Sequence, residues 1–264
     1  MEKDQVREKI LEEQRIIEFW ENEYLEQIAY LVETDKEKML NGFKTKEDIR
    51  ADWEKYLGAE TSDFAVGSER IFYWIFNQFG IPNSSPVGSD LFFETYNAYV
   101  HIDIKTVTLS NIGDFTKNIF VGDNQNSYRG NIEVKGKPPR PYAGNLPSFY
   151  TKKDGEKKIC LTYFLLILYD ESNLDIQTIV LTCMPNGKLR SIYGNKVLSP
   201  GKNPGKIRYN YTAVPKFELL RDKYRSKILL WNENMDEHVK KRLSALEPFH
   251  DIHQDSGFKN EEQK

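Results

Sequence analysis

Residues 90–109 read DLFFETYNAYVHIDIKTVTL, and this stretch decides the fold. Its apolar side chains follow the two-residue period of β-strands, and a polar turn at Tyr96-Asn97 separates two runs. Two runs joined by so short a connection form neighbouring antiparallel strands. We therefore expect a β-hairpin here, with its second strand inside a larger sheet.

The second strand carries an acid and a base on an otherwise apolar segment. Alternation places Ile102 and Ile104 on one face and Asp103 and Lys105 together on the other. Burying charge on such a strand is costly unless the charge is paired or bound to a metal. Because the hairpin reverses the chain, we expect Asp90 to lie near Asp103. Two carboxylates beside one lysine form the oxygen-lined site that Mg²⁺ prefers.

Asp90, twelve intervening residues and then Asp103-Ile104-Lys105 resemble the PD-(D/E)XK motif of a nuclease superfamily. The IDIKT core is similar to that of the EcoRV-type type II restriction enzymes, and the resemblance covers about residues 66–110. It implies an α/β (α+β) fold of the restriction-endonuclease-like class, in which helices flank a central mixed β-sheet, here with an N-terminal helical region.

The resemblance also implies an activity and its residues. The expected enzyme is a type II site-specific deoxyribonuclease that cuts both strands at a short palindromic sequence by Mg²⁺-assisted hydrolysis. Asp90 and Asp103 match the two acids that bind the metal, and Lys105 matches the catalytic lysine. Glu69, on the preceding helix, matches a further catalytic acid and metal ligand.

The implied partners are double-stranded DNA, a second copy of the chain and a cognate DNA methyltransferase encoded nearby. Two alternatives stay open: a repair-type or structure-specific nuclease with the same metal site, and a non-catalytic DNA-binding protein on this fold. Digestion of a plasmid separates them, because a restriction enzyme yields discrete fragments. A structural or interaction protein would leave the acid–lysine cluster unexplained.

The 264 residues suffice for one elaborated domain. We expect a single domain over 1–264, comprising a helical region (1–60), a catalytic core with DNA-binding loops (61–247) and a polar tail (248–264). No apolar stretch has the length of a membrane span or the character of a signal peptide, which predicts a cytoplasmic protein. The two cysteines, in apolar runs, are expected to be buried and reduced.

Helical spacing predicts a long amphipathic helix from Val6 to Leu31, whose apolar face could pack on the core or on a second subunit. A break is expected at Asn41-Gly42, then a short helix ending near Leu57 and opened by a capping box at Thr45 and Asp48. Aromatic residues from Ser68 to Phe79 predict a buried helix.

Beyond the hairpin, Ile159–Tyr169 and Ile176–Met184 predict central strands. Residues 110–158 and 185–212 are rich in Gly, Pro, Asn and Lys, and we interpret them as long loops. Pro215 is expected to open a final helix whose apolar side runs to Trp231.

Charge is distributed unevenly along the chain. Residues 1–62 contain 10 basic and 17 acidic residues, whereas residues 185–231 contain 11 basic and 2 acidic ones. The basic segment would bind a polyanion if its side chains share a face, although a solvated surface is an equal alternative. Its candidates for phosphate contacts are Lys188, Arg190, Lys202, Lys206 and Arg208.

A second group of polar residues follows the catalytic strand in the segment NQNSYR. Asn and Gln can bond adenine through two hydrogen bonds, and Arg can bond guanine in the same way. The candidates for sequence recognition, with a solvated loop as the equal alternative, are Asn124, Gln125, Asn126, Ser127, Tyr128 and Arg129.

One segment and two single residues compete with the assigned site. Glu133-Val134-Lys135 repeats the acid–x–lysine spacing, but it lies among glycines and prolines, and we rank it behind. Glu94 is interpreted as an exposed strand carboxylate. His101 shares the face of Asp103, and a lone histidine there is interpreted as a packing residue or as one that supports a metal ligand without binding the metal.

Overall fold

The computed structural model describes residues 2–57, 64–83, 88–201 and 206–250. The helices, in chain order, are α1 Glu2–Thr34, α2 Lys36–Asp48, α3 Arg50–Leu57, α4 Phe64–Ile75, α5 Leu189–Tyr193, α6 Glu237–Arg242 and α7 Glu247–His250. The strands are β1 Ile81–Pro82, β2 Leu91–Glu94, β3 Ala98–Thr108, β4 Ile119–Val121, β5 Arg129–Val134, β6 Lys137–Ala143, β7 Phe149–Thr151, β8 Lys157–Tyr169, β9 Ile176–Met184, β10 Leu198–Pro200, β11 Ile207–Tyr209 and β12 Ser226–Trp231.

A mixed sheet organises the fold. Its strand order is β1-β2-β3-β8-β9-β12, and β7 pairs with the start of β8. Strands β3 and β8 run parallel, whereas the other pairs are antiparallel. Eleven consecutive residues of β8 are buried, because its neighbours cover both edges and side chains pack on both faces. The predicted mixed sheet with flanking helices is confirmed.

Each face of the sheet supports one apolar core. The first core lies between the sheet and α1, α2 and α4, and it includes Ile102 and Ile104 of β3. The second core lies on the opposite face, where two smaller sheets, β10-β11-β4 and β5-β6, cover Phe164 and Leu166 of β8. The face of β3 that carries Asp103 and Lys105 therefore points away from α1, α2 and α4.

The N-terminal helices differ from the prediction in where they break. The break falls at Asp35 rather than at Asn41-Gly42, and Thr45 lies inside α2, where its hydroxyl donates to the carbonyl of Asn41. The predicted capping box is wrong. A Cβ on Gly42 would lie 3.3 Å from Ile71 of α4, so this glycine permits close helix packing instead of ending a helix.

The long helix itself is confirmed, and much of its apolar side packs on the sheet. Ile17, Leu25, Ile28 and Val32 are fully buried in the first core. This favours the core-packing interpretation for that side. The third predicted helix is confirmed in position, but α4 runs from Phe64 to Ile75 and so begins and ends earlier than expected. The expected burial is wrong, because only one side of α4 packs on the core and Tyr73 and Trp74 are each 48% exposed.

The predicted final helix from Pro215 to Trp231 is wrong. An irregular segment with one bridge, between Lys216 and Tyr224, leads into β12, which pairs with β9. The apolar residues whose spacing suggests a helix belong to two different structures, the irregular segment and strand β12. Phe217 of the irregular segment packs in the first core, and in β12 Ile228 and Leu229 point to opposite faces of the sheet.

The two segments interpreted as loops contain short strands. Residues 110–158 hold β4 to β7, and residues 185–212 hold α5, β10 and β11. Both cysteines are buried and unpaired, as expected. Among the described helices, none combines the length and apolar composition of a membrane-spanning segment.

Candidate active site

The acid and the base of β3 lie side by side. Asp103 is 3% exposed, and the Lys105 ammonium contacts its Oδ2 atom in an ion pair. The lysine side chain keeps a third of its surface accessible. Alternation along the strand causes this arrangement, because Ile102 and Ile104 occupy the opposite face. The pair is anchored in the sheet at one side and open to solvent at the other.

The hairpin brings the first acid to the same place. Leu91 of β2 pairs with Ile102 of β3, so that Asp90 is next in register to Asp103. The Asp90 Oδ2 atom accepts a hydrogen bond from the Ile104 amide at 2.6 Å. The residue as a whole is exposed, but its carboxyl lies against the strand. Desolvation, followed by the negative charge of Asp103, raises the pKa of Asp90 to about 6.

Glu69 is the third acid predicted for this site. It is half-buried on α4, and its charge makes a small contribution to the raised pKa of Asp90. Within the described residues, no group of three or more Asp, Glu, His or Cys side chains is arranged to hold a metal ion. The role of Glu69 as a third acid therefore stays a prediction.

The donor set of this site suits Mg²⁺. Asp103 Oδ2 is buried and contacts the Lys105 ammonium. Desolvation and, after it, the negative charge of Asp103 raise the pKa of Asp90, so a cation held by the two carboxylates would be stabilising. Mg²⁺ is commonly held by one or two carboxylates together with waters and substrate phosphates, so two acids suffice. A cation between Asp90 and Asp103 would relieve the repulsion.

His101 does not compete for this role. Its ring is fully buried and packs against Phe92 and Tyr150, and neither ring nitrogen has a hydrogen-bond partner among the described residues. Burial lowers the pKa of His101 to about 4, because the charged form would lose its hydration. The histidine is therefore neutral near pH 7, and its contacts agree with the predicted packing role.

The two acidic rivals lie elsewhere. Glu94 is half-buried and paired with Lys152 and Lys158, and these hydrogen bonds lower its pKa. This differs from the expected exposed carboxylate. Glu133 and Lys135 lie on the β5-β6 hairpin, exposed to solvent.

A cleft of about 740 Å³ opens beside Lys105. Its other walls come from the loop before β2, the turn after β4, strand β6 and the start of β11. They include Gly88, Asn124, Arg140 and Lys206. The cleft joins the acid–lysine pair to a surface that carries several basic side chains.

The segment NQNSYR borders this cleft, but much of it is occupied by internal contacts. Asn126 is fully buried, donates to the Tyr142 hydroxyl and accepts from the amide of Tyr128. Gln125 is 7% exposed and accepts from the amide of Gly122. These side chains shape the loop.

The remaining residues of the segment differ in exposure. Tyr128 is 1% exposed, and its hydroxyl contacts Asn195. Ser127 donates to the carbonyl of Gly187. Asn124 is half-exposed and Arg129 is exposed. Asn124 and Arg129 are therefore the two members of the segment best placed to reach a ligand.

The predicted phosphate-contacting residues also separate into two groups. Lys188, Arg190 and Lys206 are exposed. Arg208 is 8% exposed and pairs with Asp114 at 2.7 Å, which compensates its charge. Lys202 lies outside the described residues.

The interpretation of residues 185–231 as one polyanion-binding surface is wrong for Arg225. Its guanidinium is fully buried and donates to Glu21 Oε2 and to the Tyr193 hydroxyl, both at 2.7 Å. Tyr193 in turn donates to Glu18, which is buried as well. Burial raises the pKa of Glu21 to about 7, and the arginine charge opposes that rise only in part. This residue joins β12 to α1 and has no access to a polyanion.

Sequence reasoning missed the β5-β6 hairpin, which contributes Arg140 to the cleft wall. A signal was present, because polar Asn131 and Glu133 alternate with apolar Ile132 and Val134. The surrounding glycines and prolines favoured a loop instead.

Comparison with known families settles the relationship. Residues 13–173 match the family described as type II restriction enzyme MwoI, N-terminal domain, and residues 176–230 match the central domain of the same enzyme. The chain belongs to the MwoI family of type II restriction enzymes. Strands β8 and β9, which pair in the central sheet, lie on either side of the boundary between the two matched regions.

Solved structures of other restriction enzymes share this fold. BglI, crystallised bound to its DNA recognition sequence, matches 84% of this chain and 97% of its own at 14% identity, with a TM-score of 0.61. Tetrameric SfiI, bound to cognate DNA, matches 84% of this chain and 87% of its own at 12% identity, with a TM-score of 0.60. No curated protein matches the chain in sequence. This member of the MwoI family is a site-specific deoxyribonuclease.

Proposed function

We propose that this restriction enzyme cuts both strands of a short palindromic DNA site by Mg²⁺-dependent hydrolysis, with Asp90, Asp103 and Lys105 as its active-site residues. One observation carries the assignment: the hairpin brings two carboxylates together with Lys105, which lines a cleft of about 740 Å³. The resemblance of these three residues to the PD-(D/E)XK motif supports the same assignment.

Asp90 and Asp103 would hold the metal, which when bound polarises the scissile phosphate and lowers the pKa of a water. Asp90 must first release its proton, and with a pKa of about 6 it does so near neutral pH. The Lys105 ammonium orients the attacking water and stabilises the negative charge that develops on the phosphate. Its ion pair with Asp103 fixes the ammonium at the cleft wall.

Double-stranded DNA is the proposed substrate, and its backbone would follow the basic surface around the cleft. Lys188, Arg190 and Lys206 are exposed and can each neutralise a phosphate. The structures of BglI and SfiI with DNA support this proposal.

We further propose that two copies act together, because a palindromic duplex presents two equivalent phosphates and a two-fold dimer presents one active site to each. SfiI is a tetramer, so a larger assembly is the main alternative. Sedimentation of the protein, free and on DNA in Ca²⁺, distinguishes monomer, dimer and tetramer. A monomer under both conditions would contradict the proposal.

Digestion of plasmid DNA tests the activity. Discrete fragments in Mg²⁺, none in EDTA, would support a restriction enzyme with this metal. A smear, or cutting confined to nicked or mismatched DNA, would favour a structure-specific nuclease, and binding without cutting would favour a non-catalytic protein. Methylation of the recognised site should block cutting if a cognate methyltransferase accompanies the enzyme.

A further inference from the structure

The β5-β6 hairpin has one face on the protein and one face in solvent. Ile132 is buried in the second core, and the Tyr142 hydroxyl accepts a hydrogen bond from Asn126 at 2.8 Å. Arg140, on the same side, donates to the carbonyl of Lys206 at 3.4 Å. These contacts fix the ribbon to the protein body and leave its other face exposed.

Three residues of β5 form the exposed face, and each can read a base. Strand alternation points Arg129, Asn131 and Glu133 to solvent. Within the described residues, none of these side chains makes a hydrogen bond or an ion pair. In the major groove, Arg bonds guanine, Asn bonds adenine, and Glu accepts from the cytosine amino group.

Strand geometry fits these side chains to a duplex. Alternate residues along a strand lie about 6.8 Å apart, and successive base pairs rise by about 3.4 Å. Residues 129, 131 and 133 can therefore face every second base pair. A two-stranded ribbon also fits the major groove, which is about 12 Å wide.

The free edge of the ribbon is closed to another strand. Three of the seven residues of β6 are proline, Pro138, Pro139 and Pro141. Proline has no N–H to donate, so an added strand could not pair along this edge. A protein partner that binds by adding a strand therefore cannot pair with this edge. A nucleic acid would contact the side chains of the ribbon and does not require backbone pairing along the edge.

The charge and position of the ribbon also favour DNA. Residues 129–143 contain four basic residues and one acidic residue. Arg140 lines the same cleft as Lys105. At the base of the ribbon, a Cβ on Gly130 would lie 3.0 Å from Cδ of Arg190, so glycine lets this basic side chain lie against the strand.

We infer that the β5-β6 hairpin enters the major groove, where Arg129, Asn131 and Glu133 read base edges, while Lys135 and Lys137 near its tip contact phosphates. This inference rests on the proposed function and names the surface by which the enzyme recognises its site. The base-reading role moves from the segment NQNSYR, of which only Arg129 belongs to the exposed face, to the adjoining ribbon.

Selection from a pool of random-sequence duplexes tests the inference. The full-length protein and the variants Arg129→Ala, Asn131→Ala and Glu133→Gln are each bound to the pool in Ca²⁺, and the bound duplexes are sequenced. We expect each variant to lose about ten- to hundredfold of the enrichment at one base pair of each half-site and to keep it at the others. Lys44→Ala, a charge change on α2 across the sheet, should leave the enriched sequence unchanged.

Three results would overturn the inference: a pool in which the unaltered protein enriches no sequence, variants that enrich the same sequence as the unaltered protein, or a loss spread evenly over all positions. Thermal melting of each variant shows that it is folded, and the three exposed positions provide independent tests. Plasmid cutting in Mg²⁺ is scored separately, so failure of the catalytic proposal and failure of the ribbon proposal give different results.

Discussion

Asp90 and Ile104 are joined by a hydrogen bond of 2.6 Å from the Ile104 amide to Asp90 Oδ2. The bond ties a carboxylate at the start of one strand to the backbone of the next, between the two catalytic candidates Asp103 and Lys105. The position of the first acid therefore depends on strand pairing more than on its own loop. A site held in this way is preorganised before substrate arrives.

Replacing Asp103 or Lys105 with alanine should lower the rate of plasmid cleavage at least about 100-fold, because these groups act on the charge that develops in the transition state. Specific DNA binding in Ca²⁺ should survive in the Lys105→Ala variant. Single-turnover cleavage and filter binding measure the two effects. Lys44→Ala is the control. If Lys105→Ala cut DNA at the normal rate, the assignment of Lys105 as an active-site residue would be wrong.

Asp90→Asn should abolish cleavage and yet stabilise the metal-free protein at pH 8. The pKa of Asp90 is raised from 3.8 to about 6, so the folded state binds a proton that the unfolded chain has released. The stability that the folded state gains by binding this proton is fully present below pH 3.8, and it is lost as the pH rises to about 6. Above that pH the ionised Asp90 carboxylate destabilises the fold, because it is desolvated and lies beside Asp103.

Thermal melting at two pH values checks this prediction. The variant should melt at a higher temperature than the unaltered protein at pH 8, and the difference should shrink at pH 5. Mg²⁺ should raise the melting temperature of the unaltered protein more than that of the variant, since a ligand stabilises the state that binds it. Equal melting temperatures at pH 8 would argue against a destabilising charge on Asp90.

Arg225→Ala should destabilise the protein by about 3–5 kcal/mol, because it leaves Glu18 and Glu21 buried without their cation. Lys227→Ala is the matched control. Lys227 pairs with Glu26, whose side chain is 45% exposed, so its loss should cost about 0–1 kcal/mol. Urea unfolding measures both, and similar losses for the two variants would contradict the assigned role of the buried network.

Lys206→Ala should weaken binding to specific and scrambled duplexes alike. An exposed lysine that neutralises one phosphate contributes roughly one unit to the slope of log affinity against log salt concentration. Arg208 lies two residues further along the chain and is paired with Asp114. Arg208→Ala should therefore change the slope less. Titrations at several salt concentrations in Ca²⁺ decide this, and an unchanged slope for Lys206→Ala would place the phosphate contacts elsewhere.

The β2-β3 hairpin could be predicted in detail because its signals are local. Alternation, a short polar turn and an isolated acid–lysine pair all lie within residues 90–109, and the structure brings Asp90 to Asp103 as expected. The strands β8 and β9 were predictable for a similar reason: each is a continuous apolar run of the length that a central strand needs.

The region around Arg225 could not be predicted, because its structure depends on residues far away in the chain. The spacing of Phe217, Leu220 and Ile228 suits a helix, yet pairing with β9 makes 226–231 a strand. The acidic partners of Arg225 lie about two hundred residues earlier, on α1. Exposure decides which basic residues can reach DNA, and a charge count carries no information on exposure.

The buried pair of Glu21 and Arg225 has a consequence for synthesis of the enzyme. These residues are 204 positions apart, so α1 leaves the ribosome long before its cation exists. Without that cation, burying the charged Glu18 and Glu21 side chains costs free energy, so we expect the helix to pack fully on the sheet only after Arg225 has been synthesised. We therefore expect the first core to be completed late in translation, when most of the chain has already been made.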